Sequence, residues 1–205
     1  MDYKTLATKE STEKTIEALK ARGVEALVVG SGAEALAKIK ELIPEGASVM
    51  NGSSVTLEQI GFVEYLKSGE HGWNNLHEGI IAEKDVAKKA QLRKLGVLSD
   101  YYLGSVHALA ETGEFVIASN TGSQLPHIVF TSPNLIFVVS TKKIVPTLPD
   151  AMKRLFEHVV PLEEKYMQEK YGVGTAPNKI VIWNGESSYN GRKVKMILVN
   201  EDLGF

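Results

Sequence analysis

The 205-residue chain contains no cysteine. That excludes a disulfide framework, an iron–sulfur cluster held by this chain and a thiol nucleophile, so any redox partner has to bring its own cofactor. No stretch approaches the ~18 consecutive apolar residues of a membrane helix, and Met1-Asp2-Tyr3-Lys4-Thr5 lacks an apolar signal core. Cytoplasm is the expected compartment, with no membrane partner. The chain also lacks an excess of either charge: 23 Lys plus Arg stand against 25 Asp plus Glu, which offers nothing to attract nucleic acid. Repeats and low-complexity tracts are absent too. What is present, 43% hydrophobic and 23% charged residues, is the composition of an ordinary globular protein. One domain over residues 1–205 is expected, burying roughly 70% of the unfolded surface.

The pattern along the chain alternates helix and strand. Ile16 and Leu19 mark a helical face before Gly23 and the apolar run Ala26-Leu27-Val28-Val29, and Leu36, Ile39 and Ile43 restore helical spacing. Ala47-Ser48-Val49-Met50 reads as a short buried strand ending in Asn51-Gly52-Ser53-Ser54, with Thr56 and Gln59 as a capping box for the next helix. Residues 62–83 carry many turn formers and read as a long surface loop, in which Trp73 either closes over a flat ligand or packs under a second subunit. A helix is expected from Asp85 to Leu95, then a strand at Tyr101-Tyr102-Leu103, then a short apolar helix from Val106 to Ala110 ended by Glu111-Thr112-Gly113. Phe115 to Ala118 and the run Leu135 to Val139 read as strands, the second buried on both faces. Thr147 and Asp150 cap a long helix interrupted by Pro161. Ile180 to Trp183 and Val194 to Val199 suggest a closing β-hairpin. Together these imply an α/β, Rossmann-like fold: a mostly parallel sheet with helices on both faces and a C-terminal β-hairpin.

The run Ser99-Asp100-Tyr101-Tyr102-Leu103-Gly104-Ser105-Val106-His107-Ala108-Leu109-Ala110-Glu111-Thr112-Gly113, with the later Lys143-Ile144-Val145-Pro146 before a capped helix, resembles the LUD (lactate-utilisation) family. The resemblance implies the fold shared by sugar-phosphate isomerases, glucosamine-phosphate deaminases and coenzyme A transferases. It also implies a link to lactate oxidation beside iron–sulfur proteins. The chain departs from the commoner family pattern in having Glu114 after Ala-Glu-Thr-Gly and Gln124 in the Gly122-Ser123-Gln124 run.

In a doubly wound sheet, ligands bind outside the carboxyl ends of the strands, so the loops that follow strands hold the candidate residues. Glu111 is the first choice as base or nucleophile, against a structural role pinning its turn. His107, four residues earlier, would share a helical face with it and act as acid or base. Asn51, Gly52, Ser53 and Ser54 could hold a phosphate, as in the phosphate loop of ribose-phosphate isomerases; Gly104, Ser105, Thr121, Gly122 and Ser123 could converge on the same pocket. Ordinary turn geometry is the competing explanation for each. His71, His77, Glu78 and His107 match no metal-ligand spacing, so no metal is expected. Arg192, Lys193 and Lys195, and likewise Lys142-Lys143, could contact a phosphate or be solvated, and solvated charges are the expectation. The expectation is an anionic small-molecule ligand of phosphorylated or acyl-thioester type, with no covalently bound cofactor and a homodimer as the assembly. The alternative is a non-catalytic subunit that docks on an iron–sulfur partner.

Overall fold

A computed structural model describes residues 2–205; Met1, the first residue of the N-terminus read above, lies outside them. In chain order the helices are α1 (Lys9–Ala21), α2 (Gly32–Leu42), α3 (Val55–Gln59), α4 (Phe62–Ser68), α5 (Leu76–Ala82), α6 (Val86–Leu95), α7 (Leu148–Arg154) and α8 (Val160–Tyr171). The strands are β1 (Val24–Val29), β2 (Ser48–Asn51), β3 (Asn74–Asn75), β4 (Tyr101–Gly104), β5 (Ala108–Ala110), β6 (Phe115–Ser119), β7 (Asn134–Ser140), β8 (Ile144–Val145), β9 (Lys179–Trp183) and β10 (Lys193–Val199).

Strand periodicity decides the layering. In β7, Leu135, Phe137 and Val139 point to one side and Ile136 and Val138 to the other, and all five are buried. Such a strand must lie inside a sheet covered on both faces, where each large apolar side chain contributes about 1.5–3 kcal/mol of burial. It does: the central sheet has the order β1-β10-β7-β4-β2-β3, and every pairing is parallel. One face packs on Ala35, Ile39, Leu57 and Phe62 from α2, α3 and α4. The other packs on Leu19 of α1 and on a second sheet of order β8-β5-β6-β9, through Leu109, Phe115, Ile117 and Trp183. The outer face of that second sheet is covered by α7 and the turn after it, through Ala151, Leu155 and Val159. The protein is thus a mostly parallel α/β fold, in which a sheet supplies much of the cover on one side.

The long helical arm is interrupted as its proline requires. Thr147 caps α7 by accepting from Asp150 N at 3.3 Å. A π-helical turn at Leu155–Val159 then leads into α8, with Pro161 in its first turn, where the missing N–H is least costly.

Five sequence expectations are corrected. Residues 62–83 form α4, β3 and α5 rather than a surface loop, because Phe62, Leu66, Trp73 and Ile80 are buried anchors among the turn formers. Trp73 stacks on His71 and Phe62 and donates to Ile43 O at 3.2 Å, so it belongs to this chain's own core. Val106 to Ala110 is not a helix: Ala108, Leu109 and Ala110 form β5, which turns back through Glu111–Gly113 to pair antiparallel with β6. A continuous apolar run cannot distinguish helix from strand by period, and here two packed layers bury both of its faces. The helix-capping residue near Thr56 is Ser54, which accepts from Leu57 N, while Thr56 lies buried inside α3. The C-terminal hairpin does not form either. β10 is buried on both faces and sits between β1 and β7, whereas β9 has one covered face and edges the second sheet beside β6.

Candidate functional site

The carboxyl ends of β2, β4 and β7 lead into the segments 51–54, 104–107 and 141–143. After Ser140 the chain makes a 3-10 turn through Thr141, Lys142 and Lys143, and all three are buried. This corrects the expectation that the two lysines are solvated. Lys142 has a partner of opposite charge in Asp202 and donates to Gly204 O at 2.7 Å. Lys143 has none: its ammonium group, in a residue only 4% exposed, reaches three neutral oxygens, Thr56 Oγ1, Ser105 Oγ and Val106 O, each at 3.2 Å. The tail backs onto it at Gly204, where a Cβ would lie 2.9 Å from Lys143 Nζ. Burial, then the charges of Arg154 and Lys142, hold the Lys143 amine well below the usual lysine range. A cation held by hydroxyls and a carbonyl, with no carboxylate, has a net positive field left over for an incoming anion.

Arg154, at the end of α7, is also fully buried. It donates from Nη1 to His107 O. His107 lies beside it, accepting from Ala118 N at Nδ1 (3.1 Å), which places the ring proton on Nε2. Burial, with the nearby charges of Lys143 and Arg154, pushes the His107 pKa down to about 3. It is therefore a neutral imidazole at physiological pH. No carboxylate pairs with Lys143 or Arg154 among the described residues.

The expected site residues divide in two groups. Ser105 meets Lys143 directly, Gly104 precedes it at the end of β4, and the Asn51–Ser54 loop leads into α3, which supplies Thr56. Asn51 is 6% exposed and its Oδ1 has no partner. Gly52 N hydrogen-bonds to Leu103 O, and a Cβ on Gly52 would meet Tyr102 and, at 2.8 Å, Gln124 Oε1. Through Gln124 the Thr121-Gly122-Ser123 loop leans on the Asn51–Ser54 loop, although Thr121 and Ser123 are themselves exposed and bond to each other at 3.2 Å.

Glu111 belongs to a different place. It sits at the tip of the β5–β6 hairpin, where its carboxylate accepts from Ser11 Oγ and Lys14 Nζ of α1, both at 2.7 Å. Those two hydrogen bonds hold its pKa below the usual glutamate value. His107 and Glu111 share no helix face, because four residues of extended chain separate them by about 13 Å. The rest of the hairpin tip is clamped to the same helix: Arg22 Nε donates to Thr112 O at 2.8 Å, and Arg22 pairs with Glu114. Gly113 (φ +93°) passes so close that a Cβ would lie 2.9 Å from the Ala18 backbone. Arg192 is likewise structural, donating to Ser132 O, His127 O and Ile128 O and pairing with Glu186.

Sequence reasoning missed Arg154 as a member of a site, and it preferred a solvated Lys143 over one that contacts phosphate. The signal was available for Lys143, since it opens the Lys143-Ile144-Val145-Pro146 motif. Arg154 gave none, because a basic residue in the last turn of a helix is common.

The family model of the LUD domain matches residues 12–194. Among solved structures, the chain is similar to a DUF162 family protein from Deinococcus radiodurans, determined at 1.70 Å resolution. The TM-score is 0.57 at 13% identity, covering 96% of this chain and 100% of that one. At that identity the likeness speaks for the fold. Among curated proteins, none matches the chain.

Proposed function

The chain belongs to the LUD domain family, the family associated with lactate utilisation, and on that premise we propose that it binds an anionic small molecule at the carboxyl ends of β2, β4 and β7, with Lys143 as the binding cation. The observation that carries this reading is the Lys143 ammonium itself, buried among Thr56 Oγ1, Ser105 Oγ and Val106 O without a carboxylate. An unpaired buried cation is costly by several kcal/mol. A carboxylate, phosphate or thioester oxyanion brought to Ser105 removes that cost and supplies what the site lacks. Ser105 and His107 stay partly exposed, so the ligand enters along the Gly104–His107 loop. The orphaned Asn51 Oδ1 needs a donor and supports a polar, hydrogen-bonding ligand.

The chemistry this supports is of isomerase or acyl-transfer type, in which negative charge develops on an oxygen that a positioned cation stabilises. Burial and the neighbouring Arg154 and Lys142 charges hold the Lys143 amine well below the usual lysine range, and an arriving anion favours its protonated form. Glu111 in this reading pins the hairpin to α1 and takes no part in the reaction. Calorimetric titration of sugar phosphates, coenzyme A esters and short hydroxy acids, each in two buffers of different ionisation enthalpy, tests it. Binding accompanied by proton uptake is expected, and lost in Lys143→Met. Ligand binding that is unchanged in Lys143→Met would sink the proposal.

A second reading, the docking subunit, is favoured by one observation. Helix α6 has no buried residue, yet carries Val86 and Leu95 at 82% and 54% exposure among Lys88, Lys89, Arg93 and Lys94. The helix is exposed on every side and rich in lysine and arginine, and such a basic surface suits an acidic protein partner. Size-exclusion and cross-linking with a purified iron–sulfur partner, compared with Leu95→Glu, distinguishes it: complex formation indifferent to that change removes the reading's support.

A further inference from the structure

Arg154 uses only part of its guanidinium. Nη1 donates to His107 O, whereas Nε and Nη2 are buried and have no hydrogen-bond partner among the described residues. Those two N–H groups form the side edge of the guanidinium plane, the geometry that takes a carboxylate or phosphate in two parallel hydrogen bonds. An arginine cannot escape the cost by losing its proton. The second unpartnered group nearby is Tyr3: its ring centroid lies 5.7 Å from the Arg154 guanidinium carbon, and its own hydroxyl is buried with no partner. The Tyr3 ring supplies some countercharge to the cation, but a ring face cannot accept in-plane N–H bonds. His158 packs against Tyr3 in a tilted arrangement, with centroids 5.2 Å apart.

Three orphaned buried donors therefore gather between the N-terminal segment and α7, on the outer side of the second sheet, around a cation with no carboxylate. We propose that the Nε–Nη2 edge of Arg154 and the hydroxyl of Tyr3 form an anion site for a small carboxylate or an inorganic phosphate, separate from the site assigned to Lys143. Arg154 and Lys143 hold different atoms of the loop, His107 O and Val106 O, so each site has its own cation. Tyr3 belongs to a buried apolar cluster with Ala108, Val116, Ala151 and Leu155, and Arg154 follows Ala151 on the same helix. That enclosure favours an ion of a few atoms over a coenzyme or a nucleotide, with the Asp2–Ala7 segment as the part that yields on entry.

The test is a titration of the purified protein with sodium acetate and, separately, sodium phosphate in a chloride buffer, read by calorimetry and by the Arg154 Nε–H resonance. That resonance is identified by its loss in Arg154→Lys. Acetate or phosphate is expected to shift it and to saturate; which of the two does so tells carboxylate from phosphate. Tyr3→Phe keeps the ring and removes one donor, so a roughly fivefold weaker Kd is expected. Arg154→Lys keeps the charge and loses the fork, and binding weaker by at least about thirtyfold is expected. Lys143→Met is expected to keep this binding, so that failure of the Lys143 site and failure of this one give different results. The proposal is overturned if neither anion moves the resonance, or if Tyr3→Phe binds with the wild-type Kd. Should Arg154→Lys fail to fold, crystals grown in phosphate or acetate decide: an anion on the Arg154 edge supports the site, and water alone there overturns it.

Discussion

Lys143 and Arg154 donate to consecutive carbonyls of one loop, Lys143 Nζ to Val106 O and Arg154 Nη1 to His107 O. Two buried cations without carboxylate partners are thus brought to the same short segment from different elements, the turn after β7 and the end of α7. Burial and the Arg154 charge lower the proton affinity of Lys143, and both cations lower that of His107. The result is a region poor in negative charge inside a protein whose net charge is −2.

The first prediction separates this region from the hairpin tip. Lys143→Met is expected to weaken binding of an anionic ligand by tenfold or more, on the order of 1.4 kcal/mol. Glu111→Gln is expected to leave the Kd within about twofold and to lower stability by up to ~1 kcal/mol, the worth of a half-exposed ion pair. Calorimetry and urea denaturation on the two variants check both halves. A Glu111→Gln protein that is stable but no longer binds would return Glu111 to the site.

Gly113 yields a second prediction, of stability alone. Its φ of +93° disfavours any other residue, and an added Cβ would lie 2.9 Å from Ala18 backbone atoms and 2.8 Å from Arg22 Cδ. Gly113→Ala must therefore push the hairpin off α1 and adopt a strained backbone, together about 2–4 kcal/mol. The measurement is the urea midpoint. A loss under 0.5 kcal/mol would mean that the hairpin docks less tightly than these distances indicate.

Five strands of the main sheet were legible in sequence as apolar runs with turn residues at their ends, whereas the two-residue β3, Asn74–Asn75, was read as loop. β1, β7 and β10 carry their own punctuation, and Thr147 caps its helix as its capping chemistry predicts. The second sheet was not. Ala108-Leu109-Ala110 is too short and too uniformly apolar to reveal a period, and only packing between two layers makes it a strand. The same error moved the site. Reading Val106 to Ala110 as a helix put Glu111 at the carboxyl end of the sheet and beside His107, whereas a strand there sends Glu111 to α1. Lys143 was hidden for the opposite reason, since two adjacent lysines look solvated until the turn after β7 is seen to bury both.

Helix α6 supports a prediction by contrast with α2. No residue of α6 is buried, while Ile39 of α2 is fully so. Ile39→Ala is expected to cost about 2–5 kcal/mol, and Leu95→Glu less than about 0.5 kcal/mol. Amide exchange should show the same order, with α6 opening locally well below the global unfolding free energy. If α6 amides were as protected as those of β7, the helix would have to be held by a contact with a second molecule in solution, and dilution would then release it.

Acid should destabilise the fold before its carboxylates titrate. His127, 2% exposed and stacked on Tyr102 with centroids 4.6 Å apart, is pushed down to about 4 by burial, and His107 to about 3. In the unfolded chain both return to about 6.5 and take up protons below that pH. Between pH 6.5 and about 4 the unfolded state therefore binds more protons than the folded one, and stability falls as pH falls. Each histidine contributes a loss of about 2 kcal/mol at pH 5 relative to pH 7. His107→Gln keeps an acceptor for Ala118 N and removes one titrating group, so it should reduce the slope of unfolding free energy against pH in that window by one histidine's share, while His127 and the smaller downward shifts of His77 and His158 supply the rest. Urea titrations at half-unit intervals from pH 7.5 to 5 measure it. A flat profile would require that His127 and His107 accept protons in the folded protein, which their burial and, for His107, the adjacent charges of Lys143 and Arg154 oppose.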